Sequence, residues 1–249
     1  MEDQTRDIAQ SMMTLPHDVV PLPSKGIFYR NRKKSVKVGY LTASDENILL
    51  AGGDDITLTL IRNKLYEPDM RVEDLLAGDV EAILIFLRNT SFGTDLVMNL
   101  TDPVTKKPFK TNVSLESLPI KEGKTPNEDG TFTTVLPKTN STVKLKLLTY
   151  GEDLEIGKIL STYPEGRIPP RVTLKLSKQI VEINGNTDKG HIAQFIESMP
   201  IADSKHIKSF LDECEPKLDM RKVVTAPSGE LLTINVGFGV EFFRPFFWL

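Results

Sequence analysis

The sequence predicts an α+β fold of two lobes, preceded by an extended N-terminal arm and followed by an aromatic tail. Segments with apolar residues at helical spacing are interspersed with short alternating segments bounded by turn residues. Each half of the chain also runs from helices into a hairpin. We expect the arm and a first hairpin in residues 1–39, a lobe of helices and hairpins in 40–150, and a helical lobe with the final hairpin and the tail in 151–249.

The composition indicates a soluble folded protein and argues against several other classes. Of the 249 residues, 39% are hydrophobic and 26% are charged, and a chain of this length can bury a core without metals or disulfides. The net charge of −3 gives no overall attraction for nucleic acid. No cationic segment leads into an apolar one near residue 1 and no run of about 18 apolar residues occurs, so we expect neither standard export nor a membrane span.

Three prolines between residues 16 and 23 forbid a helix in the arm and favour an extended path. A turn at Ser24-Lys-Gly26 follows, where the glycine can take a positive φ. The apolar residues Ile27–Tyr29 are then predicted to form a strand that pairs with residues 36–41. The basic residues 30–34 between them are interpreted as a solvated turn, with a contact to phosphate or to an acidic partner as the alternative.

Apolar spacing and capping residues predict three helices in the first lobe, at residues 42–53, 56–65 and 80–89. The first has Thr42 or Ser44 as its cap, and glycines at its end. The third is apolar on most faces, so we expect it to be a buried spine that stops near Gly93. Alternating segments predict four strands further along, at residues 96–100, 109–115, 131–135 and 141–148.

The second lobe is predicted to contain four helices, at residues 151–160, 173–183, 188–199 and 203–214. The mixed spacing in 173–183 also allows a strand at its start. The last two helices should each be capped by the aspartate that begins them, Asp188 and Asp203. A final hairpin is expected over residues 223–236, with Pro227-Ser-Gly229 as its turn.

No residue pattern indicates catalysis, a metal site or a cofactor. His17, His191 and His206 do not complete the three or four ligands that zinc requires. The paired carboxylates in Gly52-Gly-Asp-Asp55 are explained by the end of one helix and the cap of the next. The single cysteine, Cys214, excludes an intramolecular disulfide and fits a reducing compartment, and its acidic neighbours should raise the thiol pKa.

The aromatic tail is the most unusual part of the sequence. Residues 238–249 contain five phenylalanines and the only tryptophan, and large aromatic side chains gain most free energy when they are buried. Their cover is the chain's own core, a groove on a partner protein, or a membrane surface. We expect a division, with Phe242 and Phe243 internal and residues Phe246 to Trp248 at least partly available to a partner.

Three short motifs together resemble a known family. They are Leu-Pro-Ser-Lys-Gly-x-Phe-Tyr at residues 22–29, Thr-Ala-x-Asp-Glu at residues 42–46, and Phe-Phe-x-Pro-Phe-Phe-Trp at residues 242–248. In order and spacing they resemble the baseplate hub subunits and hub-assembly proteins of contractile-tailed, T-even-type bacteriophages. The resemblance implies a non-enzymatic hub component, or a chaperone-like factor that helps to build the hub in tail morphogenesis.

That resemblance also implies partners and a location. We expect contacts with other phage baseplate and tail proteins, in the host cytoplasm during assembly or in the virion baseplate, and the resemblance leaves open a homo-oligomer. Relatives can carry cysteine pairs on two hairpins, in the manner of zinc knuckles. Here residues 101–105 and 225–229 stand at those tips without any cysteine, so zinc is not expected.

The predicted partner-binding residues lie in the arm and in the tail: Leu22, Pro23, Phe28, Tyr29, Phe242, Phe243, Phe246, Phe247 and Trp248. Aromatic anchors dominate the binding energy of many interfaces, and a proline-bearing arm loses little entropy on docking. Two alternatives stay open at this point. One is an intracellular regulatory module that binds a peptide or small ligand, and the other is an enzyme with carboxylate chemistry near Asp54 and Asp55.

Overall fold

The computed structural model describes residues 16–51, 56–238 and 242–243. Within this part of the chain, helices and short antiparallel strands are interspersed, which confirms the α+β class. The helices are α1 Ala43–Ala51, α2 Ile56–Lys64, α3 Ala77–Phe92, α4 Tyr150–Ser161, α5 Arg171–Gln179, α6 Lys189–Ser198 and α7 Ile201–Cys214. The strands are β1 His17–Pro21, β2 Ser35–Gly39, β3 Asp95–Thr101, β4 Pro108–Ser114, β5 Ile120–Lys121, β6 Phe132–Val135, β7 Thr142–Leu145, β8 Ile180–Ile183, β9 Lys217–Leu218, β10 Arg221–Thr225 and β11 Leu231–Asn235.

The described strands form small sheets rather than one large sheet. Four of these sheets are pairs, namely β1–β2, β3–β4, β10–β11 and β5–β9, and β6–β7–β8 makes a sheet of three strands. The predicted hairpins at residues 96–115, 131–148 and 223–236 are therefore confirmed. None of the helices in residues 16–51 and 56–238 is both long and apolar enough to cross a membrane.

Helix α3 is the buried spine that the sequence predicts. It contributes Val80, Ile83, Leu84 and Leu87 to the interior, since apolar residues cover most of its faces. It ends at Gly93, whose φ of 79° lies in the left-handed region that glycine adopts readily. A 3-10 turn over Val72–Asp74 precedes it.

Buried side chains form two hydrophobic cores that do not follow chain order. The first core combines α1, α2, α3 and the strands β1 to β4 with late residues that include Met220, Val236 and Phe242. The second core, apart from Leu76, is built from residues 132–214, and it holds β6 to β8 together with α5, α6 and α7. The hairpin β6–β7 therefore packs in the second core, and β10–β11 packs against the first. The boundary between the two lobes along the sequence stays a prediction.

The predicted strand at Ile27–Tyr29 is wrong. Residues 23–31 form successive turns, and the strand that pairs with β2 is β1, His17–Pro21. The Ile27 N–H donates to the Ser24 carbonyl at 3.1 Å and the Tyr29 N–H to the Gly26 carbonyl at 3.2 Å, so turn hydrogen bonds replace the predicted strand pairing. The extended path predicted for the proline-bearing segment is strand β1, which ends at Pro21, since proline is tolerated at a strand end.

Two details of the second lobe also differ from the sequence prediction. The segment 173–183 is helical at its start and becomes strand β8 at its end, the reverse of the predicted alternative. Asp188 caps α6 by accepting the N–H of His191, as expected. Asp203 does not cap α7, because that helix begins after Pro200 and the buried Asp203 carboxylate accepts other N–H groups.

Asp203 instead fastens the β6–β7 turn to α7. Its two carboxylate oxygens accept the backbone N–H groups of Lys138 and Thr139 at 2.8 and 3.0 Å. Burial alone would raise the pKa of Asp203, but these hydrogen bonds outweigh burial and the pKa is lowered. The carboxylate therefore stays ionised while holding a turn 64 residues away.

Candidate partner interface

The motif at residues 22–29, here named the anchor turn, is a chain of turns and not an open arm. Backbone hydrogen bonds join Lys25 to Leu22, Ile27 to Ser24 and Tyr29 to Gly26. Gly26 has a φ of 72°, as the sequence predicts, and a Cβ at this position would clash with the carbonyl oxygen of Lys33. Glycine is therefore required twice over, for its backbone angle and for the close approach.

A buried hydrogen-bond network fastens the anchor turn to the start of α3. Asp79, in the first turn of that helix, accepts the Ser24 N–H at 2.9 Å and the hydroxyl of Tyr29. The same hydroxyl accepts the N–H of Leu76 at 2.9 Å. Burial raises the pKa of Asp79 more than the hydrogen bonds lower it, and burial beside this carboxylate raises the pKa of Tyr29.

The motif at residues 42–46 has a comparable internal role. Asp45 accepts both the N–H and the hydroxyl of Thr42 at 2.7 Å, which closes the N-terminus of α1. It also forms a buried ion pair with Lys64 at 2.5 Å, where each side chain is 5% exposed. Losing either partner would leave a buried charge without compensation, so the pair fixes α1 against the end of α2.

The predicted partner-binding residues of the anchor turn point mostly inward. Leu22 is 1% exposed and Tyr29 is 9% exposed, and both belong to the first core, while Pro23 is also buried. Phe28 is half-buried and packs against the second core, where its ring lies 6.1 Å from that of Phe132. The anchor turn thus touches both cores, and a partner contact through these residues stays a prediction.

The first aromatics of the tail are internal, as expected. Phe242 is 2% exposed and Phe243 is 9% exposed, and both belong to the first core. Edge-to-face contacts join Phe242 to Phe238 at 4.8 Å and to Phe243 at 4.9 Å between ring centroids. The remaining predicted residues of the tail lie outside the described part of the chain: Phe246, Phe247 and Trp248.

The tips of two hairpins are joined by one carboxylate. Asp102, at the tip of β3–β4, accepts the N–H groups of Val104 and Thr105 at 2.8 and 3.0 Å. Its second oxygen accepts the N–H of Ser228, at the tip of β10–β11, at 2.9 Å. Burial would raise the pKa of Asp102, but the three N–H donors outweigh burial and lower the pKa to about 2. We name the two joined tips, residues 102–110 and 226–230, the hairpin-tip pair.

A match to one protein family covers most of the chain. The family model described as T4 bacteriophage base plate protein matches residues 22–230, from the anchor turn to the turn of the last hairpin. The chain belongs to that T4 base plate family. No curated protein and no solved structure matches it.

Membership makes this a T4-type phage baseplate protein, with a structural role and with other baseplate proteins as the expected partners. The two motifs at residues 22–29 and 42–46 are explained by internal contacts, so they mark the fold of the baseplate protein. Sequence reasoning found these motifs but placed the first one on a binding surface. The apolar residues of this short motif look the same in sequence whether they contact a partner or pack in the protein's own core.

The residues considered for chemistry are dispersed in the baseplate protein. His206 makes a 2.9 Å hydrogen bond with Thr134 and stacks on Phe210, and burial raises the pKa of Cys214 to about 11. No three His, Cys, Asp or Glu side chains converge as a metal site among residues 16–51, 56–238 and 242–243. The paired carboxylates at residues 54–55 lie outside the described ranges.

One cluster of charged residues was not anticipated from the sequence. Glu81, on α3, faces the segment that leaves α7, where Glu215 and Lys217 lie. Burial, and then the charge of Glu215, raise the pKa of Glu81 to about 7, although Lys217 acts in the opposite direction. Backbone packing is close here, because a Cβ on Gly78 would clash with the carbonyl oxygen of Pro216. We name this region the carboxylate junction.

Proposed function

We propose that this baseplate protein is a hub component, or a factor that assembles the hub, and that it acts through protein contacts without catalysis. Family membership supports a baseplate role, and the resemblance of the three motifs supports the hub in particular. Assembly would take place in the host cytoplasm, and a hub subunit would then remain in the virion baseplate. The contacts that carry this function are assigned mainly to the tail.

The observation that carries the assignment is the burial of Phe242 and Phe243 next to further aromatics in the sequence. Two rings packed in the first core fix the chain at residue 243. Residues 244–249 follow directly and contain Phe246, Phe247 and Trp248. These three large aromatics, a few residues after the buried Phe243, are of the residue types that anchor interfaces, since Trp and other aromatics are enriched among the residues that contribute most binding energy.

The inward residues of the anchor turn would then serve as support for the partner contact. Leu22, Pro23 and Tyr29 hold the turn against α3, and Phe28 is left half-buried at the second core. We assign to Phe28 a secondary contact, because a half-buried aromatic can gain further burial when a partner docks.

Truncation tests the assignment of the tail. Deleting residues 244–249 should leave the melting temperature close to that of the full chain but abolish complementation of a phage that lacks the gene. The matched control is Phe242→Ala, which should cost about 3–5 kcal/mol because it empties a buried aromatic site. If the truncated protein unfolds, the last aromatics belong to the core. If the truncated protein melts normally and also complements the phage, residues 244–249 have no role in partner binding.

Mass spectrometry separates the two forms of the proposal. A hub subunit should be present in purified virions at a fixed ratio to other baseplate proteins. An assembly factor should appear only in complexes taken from infected cells. Absence from both would contradict the proposed function.

A further inference from the structure

The hairpin-tip pair presents positive charge on a protein that is acidic overall. Lys106, Lys107 and Lys110 are exposed on the β3–β4 hairpin. None of these three lysines forms an ion pair within the described part of the chain, whereas other exposed lysines do, such as Lys25 with Glu122. The net charge of the whole chain is −3, so this cluster is a local reversal of sign.

The two acidic residues at the hairpin tips, Asp102 and Glu230, do little to neutralise these lysines. Asp102 is 1% exposed, and its oxygens are occupied by three backbone N–H groups. Glu230 follows the tip of the neighbouring hairpin and is exposed. Three exposed ammonium groups therefore face water with one exposed carboxylate in the hairpin-tip pair, which gives a net attraction for anions.

An apolar residue stands beside the lysines. Val104 is 62% exposed at the tip of β3–β4, although it lies only two residues from the buried Asp102. Interfaces combine an apolar contact with a polar, charged rim, and Val104 places an apolar side chain next to the three lysines. The combination of Val104 and the lysines therefore fits a partner that carries both acidic and apolar groups.

The hairpin-tip pair is held rigid before any partner arrives. Lys106 has a φ of 58°, a left-handed conformation that costs a lysine free energy, and its N–H donates to the Asp102 carbonyl at 2.9 Å. The Asp102 N–H donates in turn to the carbonyl of Lys107 at 3.0 Å. The bond from Ser228 ties the tip to a second hairpin. A rigid tip loses less entropy on binding than a mobile loop.

We propose that the hairpin-tip pair is a second docking surface, and that its occupant is an acidic segment of another protein with an apolar residue that covers Val104. Lys106, Lys107 and Lys110 would contact the carboxylates, and Asp102 is a positioning residue that holds both tips in place. This inference deepens the proposed function, since it adds a surface separate from the tail and states the chemistry of its partner.

The experiment measures binding of a fluorescent oligoglutamate peptide with a central leucine by anisotropy at low ionic strength. The full chain should bind it, and a glutamine version of the peptide should not bind. Changing the tip lysines together, Lys106→Glu, Lys107→Glu and Lys110→Glu, should weaken binding by about tenfold or more. The matched control changes three other exposed lysines that form no ion pair with any described residue, Lys189→Glu, Lys205→Glu and Lys208→Glu, and should weaken binding by less than about threefold.

Asp102→Asn separates preorganisation from simple charge. The change removes a negative charge, so charge alone would strengthen binding, but the amide cannot accept every N–H that the carboxylate accepts. We expect weaker binding with an unchanged circular dichroism spectrum. Stronger binding would refute the positioning role of Asp102.

Three further outcomes overturn the proposal. These are absence of binding by the full chain, equal losses in the two triple variants, and tighter binding of a labelled oligothymidine of the same charge, which would indicate nucleic acid instead. Deleting residues 244–249 should leave peptide affinity unchanged. If only that deletion removes binding, the tail accounts for the peptide, and the proposed function survives without this surface.

Discussion

Replacing Glu81 by Gln should stabilise the baseplate protein above neutral pH and leave its stability at acid pH unchanged. Glu81 lies in the carboxylate junction, where burial and the neighbouring Glu215 penalise its charged form. Glutamine keeps the shape of the side chain and removes the charge. The variant therefore isolates the cost of holding that charge in the folded protein.

The sign follows from comparing the folded and unfolded chains. The pKa of Glu81 rises from an ordinary value of 4.5 to about 7 on folding. Between these two pH values the folded protein keeps a proton that the unfolded chain has released, so stability falls as pH rises through this window. Each pKa unit corresponds to about 1.4 kcal/mol, which gives an upper bound of about 3 kcal/mol above pH 7. Because the side chain is only half-buried, we expect about 1–3 kcal/mol.

Urea unfolding of both proteins across a pH series measures the difference directly. The variant should be more stable by the full amount at about pH 8 and equal to the parent at about pH 4. Glu213→Gln is the matched control, because Glu213 is exposed and its pKa is lowered by a hydrogen bond from Lys124, so its removal should not stabilise. A difference that does not change with pH, or a variant that is less stable at about pH 8, would refute the reasoning.

The anchor turn gives two further predictions. In thermal melts, Gly26→Ala should destabilise the protein by about 2–4 kcal/mol, because a positive φ is combined with a backbone clash. Gly130→Ala is the control, because Gly130 has a similar φ of 78° but lies in open space, and it should cost only about 1–2 kcal/mol. Equal losses would show that the clash is relieved without cost. Tyr29→Phe should cost about 2–4 kcal/mol, because it leaves one oxygen of buried Asp79 and the Leu76 N–H without a partner. Tyr40→Phe removes an exposed hydrogen bond and should cost less than about 1 kcal/mol. Comparable urea midpoints for the two tyrosine variants would contradict the role given to the network.

Local signals in the sequence were sufficient for most helices and hairpins. Helix α3 ends at a glycine, α6 starts at an aspartate, and the tip of β10–β11 contains Pro227-Ser-Gly229, and each of these signals acts within a few residues. Composition showed that Phe242 and Phe243 need a cover, and the expectation that this cover is the protein's own core is confirmed.

Contacts between distant segments could not be predicted in this way. Asp102 resembles any turn aspartate in sequence, and its bond to Ser228 spans 126 residues. Asp203 looked like a helix cap because the sequence does not show that the β6–β7 turn lies within its reach. The junction around Glu81 was equally hidden, since two glutamates 134 positions apart carry no signal of proximity until the fold is known.

The interleaved cores have a consequence for synthesis on the ribosome. The second core is built almost entirely from residues 132–214, whereas the first needs residues 20–115 together with Met220, Val236 and Phe242. At ordinary translation rates, roughly ten seconds pass between the emergence of residue 115 and that of residue 220. During that interval the nascent chain carries an apolar surface whose natural cover has not yet been made. This exposed apolar surface is what host chaperones, or a partner protein already present, would bind during that interval.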